Sequence, residues 1–177
     1  MANIKVADAT AVNDLVLFEL AERVGAALQA QGLMMATAES CTGGWIAQAL
    51  TAVPGSSNWF ERGFVTYTYI SKREMLGVSE QTLEAHGAVS EATVREMVTG
   101  ALAHSHAQIA VAVSGIAGPS GGLPGKPVGT VCFAWSVKNG EPKTALQLFP
   151  GDREMVRRAS VKFALKGILD LLPVIPS

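Results

Sequence analysis

Residues 33–45, "LMMATAESCTGGW", begin with a short uninterrupted apolar run, residues 33–38, which is followed by small polar residues and two glycines. An apolar run of this length between helices is typical of a strand that is buried on both faces. Residues 45–53, which follow the glycines, have a helical pattern. A buried strand that leads through a tight turn into a helix indicates an α/β fold.

The rest of the chain continues this alternation. Helices are predicted over residues 13–31, from Ser90 as an N-cap through a stripe that ends at Leu102, and over residues 152–172. Further strands are predicted over residues 63–68, 108–114, 128–137 and 144–149, the last two joined by a hairpin through Asn139-Gly140. We expect a three-layer α/β/α sandwich around a mixed, mostly parallel sheet of about five strands with one antiparallel strand.

Composition limits the classes of function. The 177 residues are 49% hydrophobic and 16% charged, which predicts one domain over residues 1–177 with a substantial core. Fourteen Lys and Arg against fifteen Asp and Glu give a net charge of −1, and no block of like charge occurs. We therefore expect no nucleic-acid partner, because binding to a phosphate backbone requires a basic surface.

The cysteines and the apolar runs of the chain indicate in which cellular compartment the protein is located. Cys41 and Cys132 are far apart, and neither has a second Cys or His at metal-ligand spacing, so neither a metal site nor a disulfide is expected. Residues 1–14 contain no apolar core of a signal peptide, and no apolar run reaches 18 residues. We expect a cytoplasmic protein with no membrane partner, whose residues 173–177 form a frayed tail.

The turn in the opening stretch is a candidate catalytic site. It places Ser40 at the carboxyl end of a strand, where the backbone amides of the next residues and a helix N-terminus can stabilise an oxyanion. The alternative is structural: Ser40 or Thr42 could simply cap the helix.

A candidate base lies in "TYTYISKREMLG", residues 66–77. Ser71 and Glu74 form a capping-box pattern, which predicts that Lys72 is the first residue of a short helix. There the helix dipole and shelter from water would both favour the neutral amine that a general base needs. A Ser-Lys pair requires no histidine, and His104 and His106, two apart on a predicted helix, cannot face the same way. An ordinary surface lysine is the alternative.

The segment "SGIAGPSGGLPGKPVG", residues 114–129, is the one long loop and follows a predicted strand. Ligands of open α/β sheets bind at the carboxyl ends of the strands, and small residues let backbone amides approach an anion. A mobile surface loop without a ligand is the alternative, because the segment matches neither a Walker loop nor a dinucleotide-binding motif.

Several longer motifs occur together in order. They are "TAESCTGG" (37–44), "GSSNWFERGFVTY" (55–67), "LGV" (76–78), "HGAVS" (86–90), "SGIAGPSGG" (114–122), "KPVGTV" (126–131) and "FPGDREMVRR" (149–158). On these motifs the chain resembles the CinA C-terminal-domain family over residues 15–171. The resemblance implies a three-layer sandwich that hydrolyses the carboxamide of nicotinamide mononucleotide to nicotinic acid mononucleotide and ammonia, without metal or cofactor, as a homodimer.

The resemblance also implies roles for individual residues. Ser40 matches the family's nucleophile, Lys72 its lysine and Tyr67 its catalytic tyrosine. Ser114 matches a small hydroxyl residue, and Arg153 matches an arginine that suits the nucleotide phosphate. Further substrate contacts, including the oxyanion donors, are expected in the turn after the nucleophile, at Cys41, Thr42, Gly43 and Gly44.

One position departs from the family pattern. Tyr69 stands where relatives have an asparagine, although the spacing between Tyr67 and Lys72 is kept. Two other classes of function remain open at this stage. One is a non-catalytic nucleotide-binding or competence-associated module, although the near-neutral charge argues against direct DNA binding by such a module. The other is a cysteine hydrolase that uses Cys41, for which no histidine base is identifiable.

Overall fold

A computed structural model describes residues 5–6 and 12–172 of the chain. The predicted tail at residues 173–177 lies outside this range. The strands are β1 (Lys5–Val6), β2 (Met35–Glu39), β3 (Phe60–Val65), β4 (Ile109–Gly115), β5 (Thr130–Val137) and β6 (Lys143–Leu148). The helices are α1 (Asp14–Ala30), α2 (Trp45–Thr51), α3 (Tyr69–Leu76), α4 (Glu80–His86), α5 (Glu91–Ala103) and α6 (Arg153–Leu171).

The strands form one mixed sheet in the order β1-β6-β5-β4-β2-β3. Strand β2 pairs in parallel with β3 and β4, and β1 pairs in parallel with β6. Only β5 runs the other way, antiparallel to both β4 and β6, so the predicted single antiparallel strand is confirmed. The two-residue β1 at the edge was not predicted, because so short a strand carries no periodic pattern.

One face of the sheet is covered by α1, α2 and α6. Alternate residues of β4, namely Ile109, Val111 and Val113, lie in this core together with side chains from the three helices. An aromatic group completes it, in which the rings of Phe133 and Trp135 stack 5.6 Å apart. Residues on alternate positions of a strand share a face, which is why these strands are apolar throughout.

The other face is covered by α3, α4 and α5, and it is built from smaller residues. The β4 side chains on this face are alanines, Ala110 and Ala112, and α5 packs against them with larger aliphatic side chains. The end of α3 also lies against α5: a Cβ on Gly100 would be 1.9 Å from the Leu76 carbonyl oxygen. Only glycine permits this approach. The predicted three-layer sandwich is therefore confirmed.

Several predicted boundaries change. The hairpin between β5 and β6 forms as expected, with Asn139 at a φ of 64°. The second predicted strand begins and ends earlier, at Phe60–Val65, and the short helix α4 was not predicted. Helix α5 ends at Ala103, so His104 is its C-cap and His106 lies beyond it, and neither histidine is on a helix as predicted. Among the described residues, no helix has the length and apolar character needed to span a membrane.

Candidate active site

Ser40 directly follows β2, at the edge of the sheet where the parallel strands end. Its backbone N–H donates to the carbonyl of Val113 in β4 over 3.0 Å, which fixes it beside the end of that strand. The residue is 8% exposed, so its hydroxyl sits in a nearly closed site. Ser40 therefore occupies the position at which α/β sheets bind ligands.

Lys72 reaches the same point from α3, but not from the predicted position. The N-cap of α3 is Thr68, whose side chain accepts from the Ser71 N–H while the Ser71 hydroxyl accepts from the Thr68 N–H. The expected box of Ser71 with Glu74 is wrong, and Lys72 is the fourth helical residue, not the first. The dipole of the first turn is therefore not the main reason for a perturbed lysine, since that effect fades within a turn.

The lysine is nonetheless perturbed, because it is buried. Lys72 is 1% exposed, and burial lowers its pKa from 10.5 to about 8. Its Nζ donates to the Ser40 Oγ over 2.9 Å and to the Thr66 carbonyl over 2.7 Å. No carboxylate forms a salt bridge with it among residues 12–172. This pairing contradicts the alternative of an ordinary surface lysine.

The turn after Ser40 is organised by the buried carboxylate of Glu39. Its oxygens accept from the Thr42 hydroxyl at 2.7 Å and from the backbone N–H groups of Ile46 and Ala47, each at 2.9 Å. Burial raises the pKa of Glu39, while these hydrogen bonds act to lower it. Glu39 thus accepts hydrogen bonds from backbone N–H groups in the first turn of α2 that have no partner within the helix. The alternative in which Ser40 or Thr42 only caps the helix is wrong, because the N-cap is Gly44 and no side chain of the N-cap takes part.

Two glycines give the turn its shape. Gly43 and Gly44 have φ angles of 61° and 95°, in the left-handed region that side chains with a Cβ disfavour. The Gly43 N–H donates to the Ser40 carbonyl over 3.0 Å, which closes the turn. Among the expected oxyanion donors, the N–H of Gly43 is therefore already used in a hydrogen bond within the protein.

Arg157 of α6 holds the opposite side of this turn and was not singled out from the sequence. Its Nε donates to the Cys41 carbonyl over 3.0 Å, and its second terminal nitrogen donates to the Thr42 carbonyl over 2.9 Å. The guanidinium also lies 5.2 Å from the centre of the Trp45 ring. One sequence signal was present: Arg153 and Arg157 are four residues apart on a helix, and such residues share a face.

Tyr67 and Arg153 form a second group at the rim. Arg153, the first residue of α6, donates to the Tyr67 hydroxyl over 2.7 Å and to the Gly118 carbonyl over 2.8 Å. It forms no salt bridge with a carboxylate in the described part of the chain. The Tyr67 side chain is 56% exposed, and its hydroxyl is bonded to Arg153 instead of to Ser40 or Lys72.

The remaining predicted residues lie at the same edge of the sheet or near it. Ser114 is buried at the end of β4, one residue after the Val113 that binds Ser40. The loop that follows is anchored to α6, because its Gly118 carbonyl accepts from Arg153. Tyr69 accepts from the Ala88 N–H over 3.2 Å and so links α3 to the connection before α5.

The side chain of Cys41 is not part of this group. It lies in the hydrophobic core on the α1, α2 and α6 side, and burial raises the pKa of its thiol to about 12. A cysteine nucleophile must be a thiolate, so this environment argues against the cysteine hydrolase alternative. Only the backbone of Cys41 remains as a contact. No histidine replaces Lys72: His86 ends α4, and the Nδ1 of His104 lies 2.9 Å from the Gly100 carbonyl.

No cluster of three or more His, Cys, Asp or Glu residues that could hold a metal ion occurs in the described part of the chain. The site therefore has three parts. They are the buried pair of Ser40 and Lys72, the turn held by hydrogen bonds with Glu39 and Arg157, and the exposed contact between Arg153 and Tyr67. Fold and site together define an α/β protein with a buried Ser-Lys pair at the carboxyl edge of its sheet.

The chain belongs to the CinA C-terminal domain family, whose pattern it matches over residues 17–172. It is 54% identical over 157 residues to the nicotinamide-nucleotide amidohydrolase PncC of Escherichia coli K12, covering 89% of this chain and 95% of that protein. It is 53% identical over 152 residues to the PncC of Pseudomonas putida, covering 86% and 94%. The resemblance stated from the motifs is confirmed.

Solved structures agree with this assignment. The competence/damage inducible protein CihA of Agrobacterium tumefaciens superposes with a TM-score of 0.86 at 45% identity, covering 97% of this chain and 99% of that one. The CinA superfamily protein of Escherichia coli superposes with a TM-score of 0.86 at 42% identity, covering 93% and 96%.

Proposed function

We propose that this chain hydrolyses the carboxamide of nicotinamide mononucleotide, giving nicotinic acid mononucleotide and ammonia through an acyl-enzyme on Ser40. The nicotinamide-nucleotide amidohydrolase names of relatives at 53% and 54% identity support the reaction class. The observation that carries the mechanism is the 2.9 Å contact between Lys72 Nζ and Ser40 Oγ. A lysine with a pKa of about 8 is neutral often enough near neutral pH to accept a proton.

In the first half of the reaction, neutral Lys72 takes the proton of the Ser40 hydroxyl as the oxygen bonds to the carboxamide carbon. The electron pair of the carbonyl moves to its oxygen, and backbone N–H groups of the turn stabilise the resulting oxyanion. As the oxyanion collapses, the carbon–nitrogen bond breaks and Lys72 returns the proton to the leaving nitrogen. Ammonia departs, and Ser40 carries the nicotinoyl ester.

In the second half, Lys72 takes a proton from a water molecule as that water attacks the ester carbon. The tetrahedral intermediate collapses with release of the Ser40 oxygen, which recovers the proton from Lys72. The product is the nicotinate carboxylate. Thr66 supports both halves, because its carbonyl accepts one N–H of Lys72 at 2.7 Å and so holds the amine next to Ser40.

The rim residues are assigned to the nucleotide. Arg153, at the start of α6, is the expected partner of the phosphate, where a guanidinium and a helix N-terminus act together. Ser114 and the amides of Thr42 and Gly44 are assigned to the carboxamide end. Tyr67 orients Arg153 through its hydroxyl, and the proton passes directly between Ser40 and Lys72.

Ammonia release from nicotinamide mononucleotide by the purified chain tests the proposal. Formation of nicotinic acid mononucleotide in equal amount is expected, with none from Ser40→Ala. An inactive wild-type chain that binds DNA at physiological salt would instead support the competence-associated module. The single domain, the cytoplasmic location and the homodimer stay predictions, and sedimentation of the purified chain tests the last of them.

A further inference from the structure

We propose that Arg157 is a positioning residue: it holds the peptide between Cys41 and Thr42 so that the Thr42 N–H becomes the principal oxyanion donor. This inference rests on the proposed function and adds to it a residue that touches neither the substrate nor the reacting atoms. Arg157 lies on α6, far from Ser40 in sequence, and acts only through the backbone of the turn.

The contacts of Arg157 are directed at two successive carbonyls. Its Nε donates to the Cys41 oxygen at 3.0 Å, and a terminal nitrogen donates to the Thr42 oxygen at 2.9 Å. The side chain itself is held in place, because the guanidinium packs over the Trp45 ring. The planar fork of an arginine can span two acceptors at once, which a lysine cannot do.

The consequence follows from peptide geometry. In a trans peptide the C=O and the N–H of the same unit point in opposite directions, and among the described residues only Gly118-Pro119 is cis. Because Arg157 binds the Cys41 oxygen, the Thr42 N–H is directed away from the guanidinium. This N–H has no hydrogen-bond acceptor among the described residues. The next amide, that of Gly43, is already bonded to the Ser40 carbonyl.

The other side of the turn is fixed as well. Glu39 accepts from the Thr42 hydroxyl at 2.7 Å, so Thr42 is held through its side chain by a carboxylate and through its carbonyl by a guanidinium. Hydrogen bonds to its side chain and to its backbone thus prevent this residue from rotating. An oxyanion donor is effective when it is oriented before the charge develops, because no reorganisation is then needed during the reaction.

Arg158 provides a matched control. It is the neighbouring arginine on α6 and also lies over the Trp45 ring, at 4.7 Å, but its hydrogen bonds go to Asp14 and Glu154. Arg158→Ala therefore removes a positive charge and a contact with Trp45 without releasing a carbonyl of the turn. Arg157→Lys keeps the charge and loses the two-carbonyl grip.

The test compares wild type, Arg157→Ala, Arg157→Lys and Arg158→Ala in kcat and KM for nicotinamide mononucleotide. Loss of one oxyanion donor costs about 100-fold or more in kcat, so both Arg157 variants should fall by this amount with KM within about threefold. Arg158→Ala should stay within about twofold of wild type. Each kcat is divided by the fraction of Ser40 that a fluorophosphonate labels at completion, which removes any loss from unfolded protein.

The rate of that labelling is a second readout which does not depend on the natural substrate. Ser40 Oγ bonds to phosphorus, fluoride leaves, and the proton goes to Lys72, so the reaction also needs an oriented donor. Slow labelling of both Arg157 variants, with normal labelling of Arg158→Ala, supports the role of Arg157. This holds even if the wild type releases no ammonia, since that result contradicts only the proposed function. The role of Arg157 is overturned if both Arg157 variants have the same labelling rate and the same normalised kcat as Arg158→Ala.

Discussion

The guanidinium of Arg153 donates to the hydroxyl of Tyr67 over 2.7 Å, joining the start of α6 to the segment between β3 and α3. This contact assigns the two residues to one unit at the rim of the site. Lys72, by contrast, contacts Ser40 directly at 2.9 Å. The structure therefore favours a base that works without a tyrosine relay and a tyrosine that acts on the arginine.

Tyr67→Phe should reduce activity much less than loss of Ser40 or Lys72. The variant keeps the ring and removes only the oxygen that accepts from Arg153. A hydrogen bond to a charged group contributes about 1.5–3 kcal/mol, so we expect roughly a tenfold to hundredfold loss in kcat/KM, mainly through KM. Steady-state kinetics test this. An equal loss in kcat with KM unchanged would instead indicate that the Tyr67 hydroxyl carries the proton between Ser40 and Lys72.

Arg153→Ala should weaken the use of the phosphorylated substrate more than any hydrolysis of free nicotinamide. The expected cost is about 1.5–3 kcal/mol in kcat/KM for the nucleotide, because one charge-assisted contact is lost. Arg153→Lys is the control, since it keeps the charge but not the fork that also holds Tyr67 and Gly118. Equal losses for both substrates would mean that Arg153 does not bind the phosphate.

The layers of the fold could be predicted from the sequence because apolar runs report burial directly. The run before Ser40 and the run before Ser114 are both strands in the structure, with the boundaries shifted by one or two residues. The start of α3 could not be fixed in the same way. Thr68 with Ser71 and Ser71 with Glu74 are both acceptable capping pairs, and the chain forms the first.

The site was harder to predict than the fold. Ser40 and Lys72 were identified from their local surroundings and the family resemblance, but their contact depends on how α3 docks onto the end of β2. The spacing of Arg153 and Arg157 indicates a shared helix face, but the sequence does not show which groups Arg157 binds, since its acceptors are backbone carbonyls that every residue possesses. Of the two causes predicted for a low pKa of Lys72, shelter from water is confirmed as burial, whereas the helix dipole is not the main cause because Lys72 lies beyond the first residue of α3.

Ser40→Ala should abolish amide hydrolysis and leave the fold intact. The change removes one oxygen at a loop position and leaves Lys72 bonded to the Thr66 carbonyl. The melting temperature should stay within a few degrees of wild type, because no cavity of consequence is opened. Ammonia release and thermal unfolding are measured on the same preparation. Retention of even a tenth of the wild-type rate would contradict acylation of Ser40.

Glu39→Gln should destabilise the protein. The carboxylate accepts three hydrogen bonds in the core, and an amide of the same shape would turn an NH₂ group towards at least one of these donors. A buried donor left unsatisfied costs about 1–3 kcal/mol in the free energy of unfolding, measured by urea denaturation. Glu84→Gln, on the exposed surface of α4, is the control and should change it by less than about 0.5 kcal/mol. Equal stability of the two variants would show that Glu39 does not support α2.

The pH dependence of the reaction should report Lys72. Burial lowers its pKa from 10.5 to about 8, and only the neutral amine can take the proton of Ser40. We expect kcat/KM to rise about tenfold per pH unit below pH 8 and to level off above it, because kcat/KM follows the ionisation of the free enzyme.

The lowered pKa of Lys72 also affects the stability of the fold. Between pH 8 and 10.5 the unfolded chain binds more protons at this lysine, so the contribution of Lys72 to the free energy of unfolding should rise with pH across that window.

Variants of Lys72 separate a base from a fixed positive charge. Lys72→Arg keeps the charge but does not give up its proton in this pH range, so it should be nearly as inactive as Lys72→Ala. Lys72→Met keeps most of the buried volume, so the difference in the free energy of unfolding between wild type and this variant isolates the lysine, and that difference should shift in favour of wild type as the pH rises from 8 to 10.5. Activity of Lys72→Arg with an unchanged pH profile would make Lys72 an electrostatic anchor. The proton acceptor would then have to be a bound water or Tyr67, which could reach Ser40 only by leaving Arg153.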